Sequence, residues 1–227
     1  MILRRIVFGE PKPGESTFAG LLSKLDESVS YCNRTGPRQH DRVTDLPFAI
    51  PALKLNYVHP VALSFVSANP DDNDPLGIFR FHHMKLYDQG IRAATDSYLH
   101  IDCARLCRGL YAYPDDTPIA WDERKDTADI AWAVKLEGKT AYVVFRGSYT
   151  LLDWLRDLVG FAPSVPHATF GPMWGGFLIG MEYAWAEIKP LIAGADEVAF
   201  TGHSLGAARA SIAAGYALQD FSTGTQG

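Results

Sequence analysis

A serine hydroxyl set midway between two glycines, in Gly202-His203-Ser204-Leu205-Gly206, is the arrangement that acyl-transfer chemistry needs. An alcohol is a weak nucleophile unless a base and oxyanion donors both reach its oxygen, and a sharp turn from strand to helix holds it where they can. Before the pentad lies a short apolar run, Glu197 to Thr201; after it comes an alanine-rich run, Ala207 to Leu218. The first predicts a strand and the second a helix. Lacking a Cβ, Gly202 and Gly206 let neighbouring backbone approach while Ser204 takes a strained conformation that projects its Oγ outward. The helix then directs its positive end at the same point. Ser204 is thus the expected catalytic residue, with Gly202 and Gly206 supporting it.

Such a turn needs a sheet behind it. Asp129 to Lys135 and Thr140 to Arg146, joined at Glu137-Gly138-Lys139, predict a β-hairpin. Its second run is apolar throughout (AYVVF), as in a strand covered on both faces. Beyond Arg146-Gly147-Ser148, the residues Leu151, Trp154, Leu155 and Leu158 fall on one face of a short amphipathic helix. Upstream, Leu86 to Tyr111 reads as one helical pattern with Leu99, Cys103, Leu106 and Leu110 in a stripe. His100, Cys103 and Cys107 share helical spacing that would suit zinc, but small buried cysteines in a core stripe are the commoner case.

The 227 residues are 47% hydrophobic and 21% charged, which suits a globular protein with a sizeable core. A net charge of −5 and the lack of any dense basic block give no reason to expect nucleic acid. The first ten residues have Arg4 and Arg5 inside a very short apolar run, unlike a secretory signal, so the expectation is a cytoplasmic protein. The three cysteines, Cys32, Cys103 and Cys107, are too few for a disulfide framework.

Eight of the fourteen prolines fall in the first 83 residues, where periodicity is poor. Residues 1–83 are therefore expected to be an N-terminal extension of uncertain structure, with the regular patterns confined to 84–227. Within the extension, Phe48 to Leu55 and Val58 to Val66 are the runs that could form strands.

Four ordered features, Arg146-Gly147-Ser148, the stretch through Asp157-Leu158, Gly175-Gly176-Phe177 and the GHSLG pentad, resemble the class 3 (fungal-type) lipase family of α/β-hydrolases. The resemblance covers about residues 86 to 218. It implies an α/β fold with a mostly parallel sheet and helices on both faces. It also implies oxyanion donors at Ser148 and at the Leu205 backbone N–H, a supporting acid at Asp157, and a lid over Tyr149 to Leu158. The lid's apolar face would be Leu151, Trp154, Leu155 and Leu158. Against the family pattern, Trp174 stands where a histidine is usual, Ala207 where a glycine is usual, and Arg209, expected to face solvent, where a smaller residue is typical.

In this fold the triad runs Ser, then acid, then His along the chain. Only 23 residues follow Ser204; they hold no histidine, and Asp220 as the sole acid. On this count 84–227 is a C-terminally truncated, partial hydrolase domain that is nearly inactive, with the strand at Glu197 to Thr201 left with an open edge. His167 is the upstream substitute considered for the base. Two functions follow: a serine carboxylester hydrolase acting on triacylglycerol or a related lipid ester at a lipid interface, or a non-catalytic relic that binds a protein partner through the open edge. Neither implies a metal or organic cofactor, because serine, imidazole and backbone donors suffice for acyl transfer.

Overall fold

Strands whose residues alternate between two apolar environments must be covered on both sides, and the layers of this molecule follow from that alternation. A computed structural model describes residues 1–36, 39–40, 59, 62–66, 84–114, 116–147 and 165–222. The first half of the chain forms β1 (Ile2–Phe8), α1 (Ser16–Leu22), β2 (Glu27–Gly36), β3 (Gln39–His40), β4 (Leu63–Val66), α2 (Met84–Ala94) and α3 (Tyr98–Tyr111). The second forms β5 (Glu123–Asp126), β6 (Ala131–Glu137), β7 (Thr140–Phe145), β8 (Val165–His167), β9 (Gly171–Met173), α4 (Gly175–Leu178), α5 (Met181–Ile192), β10 (Glu197–His203) and α6 (Leu205–Ser222).

The main sheet runs β3-β2-β1-β10-β7-β6-β5, with β4 also paired to β2. The pairs β1–β10, β1–β2, β10–β7 and β2–β4 are parallel. β6 joins β7 antiparallel through the expected hairpin, whose Gly138 takes the positive φ of 63° that a tight turn demands. The short pair β8–β9 stands apart. At the outer edge, β5 is Glu-Arg-Lys-Asp and exposed throughout, a composition that resists pairing with another sheet.

On one face, Val198 and Phe200 of β10 pack with Val143, Phe145, Trp132 and Val134 beneath α1, α5 and α6. On the other, Ala199 packs with Ile6, Phe8, Ala133 and Val144 beneath α2 and α3. The mostly parallel sheet with helices on both faces is therefore the one the sequence pattern implies. One position of β1 breaks the apolar rule: Arg5 is fully buried and pairs with the equally buried Glu10 at 2.8 Å. Its remaining donors go to Ser28 (2.9 Å), Ser30 (2.9 Å) and Ser211 (3.0 Å), so the charge is matched on every side.

Three sequence expectations change. The pattern over Leu86 to Tyr111 is two helices, interrupted at Thr95-Asp96-Ser97, where the Thr95 hydroxyl accepts the Ser97 N–H at 3.1 Å and offers the backbone an alternative to the helix. The sheet also crosses the boundary drawn at residue 84, since β1 lies at its centre with Ile2 opposite Glu197 and Phe8 opposite His203. Finally, β10 has no open edge: β1 fills one side and β7 the other.

Candidate active site

The sharp turn lies where the pentad predicts it. β10 ends at His203, α6 begins at Leu205, and Ser204 between them has φ +56°, in the left-handed region that a side chain rarely adopts. A Cβ on Gly202 would lie 2.2 Å from the Gly206 carbonyl oxygen, and one on Gly206 would lie 2.2 Å from that of Phe145. No other residue fits either position without moving backbone. The turn is pinned from both directions: the Ser204 N–H donates to the Phe8 carbonyl at 2.9 Å, and its carbonyl accepts the Ala207 N–H at 2.9 Å. Phe8 closes β1, so the strand from the far end of the sequence holds the turn in place.

Behind the serine, the Tyr111 hydroxyl lies 2.7 Å from His203 Nδ1. The same oxygen receives the Gly147 N–H. Burial pushes the phenol well above its ordinary value, so the hydroxyl stays protonated. Gly147 sits so close that a Cβ there would fall 2.5 Å from the His203 carbonyl and 3.1 Å from Ser204 Cβ. The end of β7 and the turn are thereby locked edge to edge. Tyr87 of α2 completes the wall, with its ring centroid 5.4 Å from that of His203 and 5.9 Å from that of Phe8. Sequence reasoning did not find Tyr111 or Tyr87, because only the fold brings them to residues far along the chain.

Leu205 is the first residue of α6, where the backbone N–H groups of the opening turn have no partner within the helix. An anion formed at Ser204 would meet that positive end. Ser148, Asp157 and the lid residues Leu151, Trp154, Leu155 and Leu158 lie outside the described residues. His167 does not reach the turn. Its ring stacks on Phe170 at 4.1 Å, its Nδ1 accepts the Phe170 N–H at 3.2 Å, and it packs beside Tyr216, twelve residues into α6 and about 18 Å along the helix from Ser204. Arg209 does not face solvent as expected: it is buried and donates to the Asp129 carbonyl at 2.7 Å. His100 is held by the Tyr31 hydroxyl at 2.8 Å and Glu27 at 3.0 Å, both on β2. Cys107 Sγ lies 3.2 Å from the Thr201 hydroxyl, and the described residues contain no group of His, Cys, Asp and Glu side chains placed to hold a metal.

A mostly parallel sheet covered by helices on both faces, with a strained serine between a parallel strand and a helix, is an α/β architecture. Residues 142–224 match the model of the family described as lipase (class 3), a stretch that runs from β7 through α6 and contains the whole turn. The likeness to class 3 lipases read from the sequence therefore stands over that stretch. No curated protein and no solved structure gives a significant match. No helix among the described residues is long and apolar enough to cross a membrane.

Proposed function

We propose that the chain is a serine carboxylester hydrolase acting on lipid esters, with Ser204 as nucleophile. The observation that carries this reading is the positive φ of Ser204 between a sheet strand and a helix N-terminus, inside the segment that matches the lipase family. Strain of this kind persists only where the surroundings enforce it, and two glycines, Gly147 and the Phe8 carbonyl do so here.

In the proposed reaction Ser204 Oγ attacks the ester carbonyl carbon, and the carbonyl electron pair moves onto oxygen. The Leu205 N–H at the start of α6 receives that oxyanion, joined by Ser148 through the family likeness. Collapse expels the alcohol, which carries away the proton given up by Ser204, and leaves an acyl-enzyme; water then adds its oxygen to the acyl carbon, and one of its protons returns to Ser204 Oγ as the acid leaves. The open edge of β10, through which the non-catalytic alternative would bind a partner, is occupied by β1.

A fluorophosphonate probe with mass readout tests the proposal. One phosphonyl group on Ser204, absent in Ser204→Ala, is the expected result, together with hydrolysis of a triacylglycerol emulsion. Folded protein that takes up no label would sink it.

A further inference from the structure

In open α/β sheets the working side chains stand on loops that leave the carboxyl ends of parallel strands. Hydrolases of this class take their acid and base from chain that follows the nucleophile. Here the parallel strands on the far side of β10 from β7 are β1, β2 and β4, and all three precede β10 in the sequence. Helix α6 leaves the turn and packs over both β10 and β1, with Ser211 bonded to Arg5 at 3.0 Å. Its 18 residues span about 27 Å, enough to return along the roughly 23 Å of β1. Spatially, β10, α6 and β1 form a β–α–β unit; along the chain, its last strand comes first. The place where an ordinary order would break is filled instead by Thr95-Asp96-Ser97, which joins α2 to α3.

We propose that the chain is a circularly reordered hydrolase: residues 1–94 supply the half of the sheet beyond the nucleophile strand, and the base that takes the Ser204 proton is drawn from them. This rests on the reading of Ser204 as nucleophile. The described histidines after residue 94 are committed elsewhere: His100 to Tyr31 and Glu27, His167 to its own hairpin, and His203 to Tyr111. The upstream half meets the turn at two points, the Phe8 carbonyl and the opening of α2, where Tyr87 lies against His203. Residues 1–94 hold four histidines: His40 in β3, His59 ahead of β4, and His82 and His83. His82 and His83 lie outside the described residues and enter by sequence position alone. In the step proposed, the Ser204 O–H proton passes to an imidazole nitrogen as the Oγ–carbon bond forms. The imidazolium returns it to the departing alcohol as the ester C–O bond breaks.

The test uses the full chain with the four histidines of residues 1–94, His40, His59, His82 and His83, each changed to Ala and, separately, to Asn. Fluorophosphonate labelling, hydrolysis of a soluble short-chain ester and the urea unfolding midpoint are followed. One of the four positions is expected to lose about 10⁴-fold or more in kcat while unfolding like the parent, and to abolish the histidine inflection in the kcat/KM–pH profile. His167→Ala is expected to stay within about twofold, since an imidazole remote from the serine takes no part in proton transfer. A second variant places residues 98–222 ahead of 1–94, joined by a Gly-Ser linker of two alternative lengths, and is expected to fold and to label at Ser204. Full labelling and turnover in all eight histidine variants overturn the upstream base while leaving the nucleophile intact. A reordered chain that fails to fold with either linker overturns the order of the sheet. Folded parent protein without label removes the nucleophile reading, and the base with it.

Discussion

Tyr111 holds Gly147 and His203 on one oxygen, and through them the two pieces of backbone that flank Ser204. Tyr111→Phe removes both bonds while keeping the ring, and leaves a buried amide and imidazole without that partner. A loss of about 1–3 kcal/mol in urea unfolding is expected, with slower fluorophosphonate labelling of the folded protein. Gly206→Ala is harsher, because its Cβ would press on the Phe145 carbonyl, which belongs to the sheet. The expected outcome is insoluble protein or a loss of about 3 kcal/mol or more, read by soluble yield and thermal unfolding. The pentad was legible because the reason for its glycines is local: a strand must reverse into a helix within one residue. Tyr111 was not, since nothing near it in sequence announces a partner ninety positions away. Arg209 was misread for a related reason: the Asp129 carbonyl that receives it belongs to another element.

Among the elements, β6, β7, β10 and α6 could be read from their runs because each is apolar without interruption or ends at a glycine turn. β1 could not. Its Arg4-Arg5 pair spoils the alternation, and only the fold reveals that Glu10, Ser30 and Ser211 surround the second arginine. Breaking such a buried pair leaves one charge stranded. Glu10→Ala is expected to cost about 3–5 kcal/mol in urea unfolding, whereas Arg5→Met combined with Glu10→Leu is expected to cost less than Glu10→Ala alone. The proline count drew attention away from β1, β2, β3 and β4, which themselves contain none. Thr95 had a comparable effect on the helix at 86–111, where periodicity carried across a break that one hydroxyl makes.

Across the whole molecule, Cys32, Cys103 and Cys107 are buried free thiols. Burial pushes Cys107 up to about 12 and holds Cys103 well above its ordinary value, so neither forms thiolate near neutrality. A thiol reagent at pH 8 is expected to find no fast-reacting cysteine in the native protein and three after denaturation, with a midpoint matching loss of circular dichroism. Reaction of Cys107 in folded protein would contradict its place beneath β10.

The pairing of Ile2 with Glu197 also has a temporal side. A ribosome releases β1 well before β10, yet the two are neighbours in the sheet, so β1 must wait for its partner while the residues between them are made. Contacts this distant close slowly and leave apolar chain uncovered meanwhile. The two arginines in β1 then keep the waiting segment charged until its burial partners emerge.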